Sequence, residues 1–285
     1  MSLSGGVKRV PAQRLGARLS FLRSNAAGYF RLFQRKPRWT VTPRWRCLPR
    51  LAVAALLGVV VVVATMIVID APAVGLAQRL PEWVIEDFDR LTDFGKSPWF
   101  LVPIGTLLVL IATTTSPRLS LMARGVLAAI AVRLGFLFLA IGLPGLFFTI
   151  AKRLIGRARP LFDGTVEPFS YHPFGWGVEY ASLPSGHAVD AFAAAMAIGA
   201  LWPRTRPFLW TYAVIIALSR IVLTAHFPSD VIAGAFAGVL GVLLVRDWFA
   251  ARGLGFVLGV DGRIRPLPGP SAARVKSAAR QLIAA

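Results

Sequence analysis

Residues 51–69 read L-A-V-A-A-L-L-G-V-V-V-V-V-A-T-M-I-V-I, nineteen positions without a single charge. A helix needs about 20 apolar residues to cross roughly 30 Å of hydrocarbon. This stretch therefore predicts a membrane-spanning helix, and the rest of the chain is read outward from it. Five more apolar stretches follow, at about 99–115, 125–150, 188–203, 208–226 and 230–249. The composition agrees. The 285 residues are 56% hydrophobic and only 16% charged, against roughly 25% charged residues in soluble domains. The expected fold class is all-α: a polytopic membrane protein with six transmembrane helices in a bundle. Residues 51–249 would form the six-span unit, with basic segments at 1–50 and 250–285.

The formal net charge is +19, and its location decides what it means. Residues 1–50 hold twelve Lys or Arg and no acid, and residues 246–285 hold seven more against Asp247 and Asp261. A basic excess at both ends of a membrane chain fits cytoplasmic termini lying on anionic inner-leaflet lipid. No nucleic-acid-binding motif accompanies it, so a nucleic-acid partner is not expected. With the N-terminus inside, segment 70–97 falls outside and carries six acids. Loop 116–124 is then inside, with Arg118 and Arg124. Only the outer loop 151–187 breaks the charge rule, through Lys152, Arg153, Arg157 and Arg159. Within 1–50, Leu15, Leu19, Leu22, Ala26, Phe30 and Phe33 recur three or four apart. That spacing fits an interfacial helix and leaves a disordered basic tail as the alternative. Cys47 is the one cysteine, so no intrachain disulfide forms.

Three short stretches carry the chemistry, and all fall on the expected outer side. They are K-R-L-I-G-R-A-R-P at 152–160, P-S-G-H at 184–187 and S-R-I-V-L-T-A-H-F-P-S-D at 219–230. Asp230 follows His226 by four residues, with Pro228 suited to the first turn of a helix. Its carboxylate could hold one ring nitrogen of His226 and leave the other as base or nucleophile. A His–Asp pair that only ties a turn to a helix is the plainer alternative. Ser185 is placed to cap the helix that follows, and Gly186 to let phosphate approach the backbone. His187 is placed to protonate a departing oxygen. Lys152 and Arg159 offer a point charge and a bidentate fork to phosphate. Arg220, deep in an apolar stretch, needs a partner or a function. Arg153 and Arg157 read as surface charge at the headgroups, and His172 lies outside the motifs.

Taken together, the three stretches resemble the type 2 phosphatidic acid phosphatase family, whose site is shared with vanadium haloperoxidases and glucose-6-phosphatase. The family pattern K-x6-R-P, P-S-G-H, S-R-x5-H-x3-D is met at every fixed position, within a matching region of about 95–245. The resemblance implies a six-helix membrane enzyme that needs no metal or other cofactor. It implies His226 as the nucleophile that forms a phosphohistidine, Asp230 as its orienting partner and His187 as the acid for the leaving alcohol. Lys152, Arg159, Ser185, Gly186 and Arg220 would hold the phosphate. The implied activity is hydrolysis of a phosphate monoester or diphosphate on a membrane lipid, in a bacterial inner membrane, with the site facing the periplasm. The headgroup stays open among phosphatidic acid, phosphatidylglycerol phosphate, undecaprenyl pyrophosphate and lipid A. A lipid-to-lipid phosphotransferase and a non-catalytic lipid-binding or transport protein of the same fold are the alternatives. Segment T-D-F-G-K-S at 92–97, with Asp89, resembles bacterial lipid phosphatases of this family and would border the substrate entry.

Overall fold

The computed structural model describes residues 12–37 and 48–284. Cys47 and the first eleven residues lie outside them. Ten α-helices are present among the described residues, and every apolar stretch falls on one. A first helix, α1, covers Ala12–Phe33. The stretch that opened the reading becomes α2, Leu48–Val68. It presents Val53, Leu56, Val59 and Ile67 outward, as a lipid-facing helix does. Pro72 has no N–H for the carbonyl of Val68, which ends that ladder. The chain resumes as α3, Asp70–Ala77, at an angle of 55° to the preceding helix.

Helix α4, Glu82–Thr92, runs on through a 3₁₀ turn into α5, Pro98–Thr114. Helix α6 is the longest, Leu121–Ile155, and ends on left-handed Gly156 (φ 66°). Then come α7, Gly186–Leu201, α8, Arg206–Val222, and α9, Pro228–Ala251. The fifth apolar stretch thus ends four residues short of its expected limit. A turn with Thr224 at φ 48° carries the chain to α9.

Among the described residues, three helices are long and apolar enough to cross a membrane, or four if the bent α2–α3 pair is one span. The expected six is not reached on that criterion because α7 and α8 are short. A 16-residue α7 rises only ~24 Å. It is nonetheless the centre of the bundle, packed against α6, α8 and α9. Alanines 188, 191, 193, 194, 195 and 197 are all fully buried on it. Small side chains let helix backbones approach closely. On the facing side of α9, a Cβ at Gly234 or Gly238 would collide with the backbone of Ser185 or Val189. These close approaches fix α7 against α9, and with it the relative position of His187 and Asp230.

The C-terminal segment folds back on the opposite end of the bundle. Strands β1, Phe256–Leu258, and β2, Ile264–Pro266, form an antiparallel hairpin, a small exception to the all-α expectation. Arg133 donates to the carbonyls of Leu267 and Pro268; this fixes the tail and accounts for an arginine within α6. A last helix, α10, Ala272–Ala284, packs Ala278 against Ala123 and Leu127. At the same end, Asn25 of α1 donates to the carbonyls of Ala112 and Thr115, and Phe33 packs edge-on against Phe249.

Candidate active site

The C-terminal ends of α6 and α8 and the N-terminal ends of α7 and α9 meet at one end of the bundle. Each motif stretch supplies one or two of those ends. Pro228 begins α9, and the backbone N–H of Phe227 donates to Asp230 Oδ2 at 3.0 Å. The N–H groups of Ala225 and His226 both donate to the carbonyl of Arg220, at 3.1 and 3.2 Å. This double closure folds the end of α8 back so that His226 faces the bundle end. The N–H of Ser185 donates to the carbonyl of Asp230 at 3.0 Å, joining the second motif to the third. A Cβ at Gly186 would lie 3.6 Å from Lys152 Nζ, which brings the first motif alongside.

His226 is 3% exposed and Asp230 not at all. Asp230 Oδ2 stands 3.8 Å from His226 Nδ1, close enough to orient the ring by charge but longer than a hydrogen bond. Burial holds the His226 imidazole below its ordinary value; Asp230 opposes this, and Arg159 and Arg220 add to it. Arg159 is itself held below its usual value, by burial first and then by Arg153. His187 lies within electrostatic reach of Arg220, His226, Lys96 and Lys152.

The polar atoms at this end are unusual in what they lack. Arg159 Nε, Ser185 Oγ, His187 Nε2, Arg220 Nε and His226 Nδ1 are buried without a hydrogen-bond partner. Native structures rarely leave such groups unpaired. Ser185 does occupy the N-cap position of α7, but its hydroxyl makes no capping bond, contrary to the simple cap expected. Its oxygen therefore remains available with the N–H groups of the helix start. Segment 92–97 borders the same place. Gly95 packs against the His187 ring, and Ser97 N–H donates to Asp190 Oδ2 at 3.2 Å. Thr92, which opens that segment, accepts from Arg220 Nη1 at 2.8 Å and from Ser219 Oγ at 2.9 Å.

Arg157 overturns the surface-charge reading. It is completely buried, and all five of its N–H groups are used. Nε and Nη2 donate to the carbonyl of Pro168. Nη1 donates to Ser229 Oγ at 2.7 Å and to Asp230 Oδ1. Nη2 also donates to Asp70 Oδ2 at 2.8 Å. Its guanidinium lies 4.5 Å from the centre of the Phe227 ring. Burial works against its charge, but Asp230 and Asp70 outweigh that and hold it more firmly protonated than usual. Ser182 Oγ donates to Asp230 Oδ2 at 2.6 Å. His172 and Arg153 stand apart from this cluster. The His172 ring packs 5.0 Å from Tyr180, and Arg153 holds the loop through the carbonyls of Trp176 and Gly177.

A cluster of cations and imidazoles at the ends of apolar helices is suited to a phosphate group at a membrane. Comparison with known proteins makes the family definite. A family model described as the PAP2 superfamily matches residues 133–254. A "Lipid A 1-phosphatase" of Rhizobium etli is 37% identical over 199 residues, covering 68% of this chain and 83% of that protein. A "Lipid A 1-phosphatase" of Rhizobium johnstonii is 36% identical, covering 68% and 79%. The crystal structure of a transmembrane PAP2 type phosphatidylglycerolphosphate phosphatase from Bacillus subtilis matches with a TM-score of 0.46 at 21% identity, covering 67% of this chain and 93% of that one. The chain belongs to the PAP2 superfamily and is an enzyme of the phosphatase class.

Proposed function

We propose that the protein removes a phosphate monoester from a membrane lipid through a phosphohistidine, with the 1-phosphate of lipid A as the foremost substrate. The observation that carries the reading is the convergence of unpartnered atoms from Arg159, Ser185, His187 and Arg220 beside His226 at one bundle end. A phosphate dianion offers acceptors to the donors among them. Lys152, Arg159 and Arg220 supply three positive charges against it, with the N–H groups at the start of α7. That charge does at the transferring phosphoryl group what a metal clamp does elsewhere.

His226 attacks phosphorus from its free ring nitrogen while Asp230 holds the other as donor. The phosphorus–oxygen bond to the lipid breaks, and His187 gives its proton to the leaving oxygen. Water then attacks the phosphohistidine, returning a proton to His187 and releasing inorganic phosphate. The choice of lipid A rests on the two rhizobial relatives, each matched over most of its length. Six crossings are proposed for α2, α5, α6, α7, α8 and α9, with α7 shielded by its neighbours. The site would face the periplasm, and both basic termini would rest on anionic lipid of the cytoplasmic leaflet.

Purified protein assayed against lipid A, phosphatidylglycerol phosphate, phosphatidic acid and undecaprenyl pyrophosphate should release phosphate fastest from lipid A. Activity should survive EDTA and fall with vanadate. Loss on chelation with recovery on adding one divalent metal would overturn the metal-free reading. Transfer of the phosphoryl group to a second lipid, without free phosphate, would make the protein a phosphotransferase.

A further inference from the structure

Behind Asp230, on the side away from His226, two carboxylates share one arginine. Asp70, Arg157, Ser229 and Asp230 are each completely buried. Arg157 reaches Asp230 Oδ1 through Nη1 and Asp70 Oδ2 through Nη2. Ser229 closes the ring: its N–H donates to Asp70 Oδ1 at 2.9 Å and its hydroxyl to Asp70 Oδ2. Asp70 is the first residue of α3, just past the bend that follows α2. It lies outside the segment 133–254 that the family model covers.

A surface charge contributes little and needs no such arrangement. A buried ion pair is costly to assemble and gives weak stabilisation over an apolar packing of the same volume. Burying two carboxylates on one guanidinium leaves a net charge of −1 directly behind a histidine. We propose that Asp70 and Arg157 are positioning residues for His226: Arg157 fixes the plane of the Asp230 carboxylate, and Asp70 draws off part of the arginine's charge, so that Asp230 keeps enough negative charge to act on the imidazole. Helix α3 thereby sets the basicity of a group on the far side of α9.

The charges around His226 make the sign of the effect definite. Asp230 faces it from α9, Arg220 from α8 and Arg159 from the loop, with His187 opposite on α7. Lys96 and Lys152 act on His187, and Asp89 and Asp93 on Arg220. None of these residues is itself substituted in Asp70→Asn or Arg157→Met. Asp70→Asn takes the buried trio from −1 to 0, so the imidazolium loses support and His226 titrates lower. With both carboxylates ionised, Arg157→Met takes it from −1 to −2, so His226 titrates higher. The double variant restores −1 and should return His226 to its original value. Structural damage lowers activity in every variant but has no reason to move a titration in opposite directions.

The proposal rests on His226 acting as the nucleophile, and the test separates the two. The chain has three histidines, so ring-labelled protein in detergent micelles gives a titration that His226→Gln assigns to His226. Single-turnover phosphoenzyme trapping is run beside it on the wild type. The expected result is a shift on the order of half a unit or more in each direction, reversal in the double variant, and trapped phosphate on His226. Titrations that stay put, or move the same way in both variants, overturn the positioning role even where phosphoenzyme forms. If Arg157→Met does not fold, Asp70→Asn against the wild type keeps the sign test, and an upward or absent shift overturns the proposal. Opposed shifts without trapped phosphate on His226 leave the charge coupling standing and overturn the nucleophile instead.

Discussion

The two sides of Asp230 differ in how their polar atoms are used. On the buried side, Arg157 spends all five N–H groups, Asp70 accepts through both oxygens, and the Ser182 and Ser229 hydroxyls are engaged. On the other side, Ser185 Oγ, His187 Nε2 and Arg220 Nε have no partner, and His226 turns Nδ1 toward Asp230 at 3.8 Å. The unpaired atoms are themselves buried, so contact with water does not explain the contrast. Paired groups hold a frame; unpaired ones in a cationic pocket are complementary to something that arrives with its own acceptors. Mutations on the pocket side should therefore affect turnover more than folding, and those on the buried side should affect both.

The largest effect separates the two pocket histidines. His226→Ala should remove turnover and phosphoenzyme together, a loss on the order of 10⁴-fold or more, with little change in thermal unfolding. His187→Ala should cost about 10²–10⁴-fold on a lipid substrate. That loss should shrink on p-nitrophenyl phosphate, whose leaving group needs little protonation. Recovery with the activated substrate in His226→Ala but not in His187→Ala would reverse the two roles.

Arg157→Ala probes the opposite side. Removing one member of a buried ion-pair network leaves the others unpaired, and such changes cost about 3–5 kcal/mol. Thermal unfolding in micelles should show that loss, whereas Ser185→Ala, whose hydroxyl bonds to nothing in the fold, should unfold as the wild type does. Equal stability losses from the two would erase the contrast.

The elements that could be read from the chain are those whose signal is local. The apolar stretch 51–69 became α2, and the six stretches all became helices because hydrophobic length needs no partner to be recognised. The three motifs could be seen as one chemistry because each fixes its own spacing, and the structure brings all three to one bundle end. Arg157 was misread for the converse reason. It stands among Lys152, Arg153 and Arg159, where a run of charge at a membrane surface looks like topology. Its carboxylate partner Asp70 is 87 positions away, and nothing in the spacing links them. The short length of α7 could be read at 188–203, but its central place could not, since alanine-rich packing against three neighbours depends on contacts that a hydropathy pattern does not record. Ser185 showed the limit of a local rule: its position is that of a cap, but its hydroxyl is left free.

A smaller effect should appear in pH dependence. Burial, with help from Arg159 and Arg220, keeps His226 neutral below its ordinary value, which is about 6.5 for imidazole. The proposed attack requires the neutral ring, so activity should persist as pH falls through that value and decline only when His226 is protonated further down. The acid limb of kcat/KM should thus lie below about 6.5, and Asp70→Asn should move it lower still. A limb at or above that value in the wild type would mean that Asp230 outweighs burial at this site.

The proposed passage of phosphate through His226 is tested most directly by the stereochemistry of transfer at phosphorus. A substrate carrying a chiral, isotopically labelled phosphorothioate, turned over in labelled water, reports how many displacements occur. Attack by His226 followed by attack by water predicts overall retention of configuration, with thiophosphate trapped on His226 when the reaction is quenched in base. Inversion, with no labelled enzyme, would mean that water attacks directly and that His226 acts only as a base.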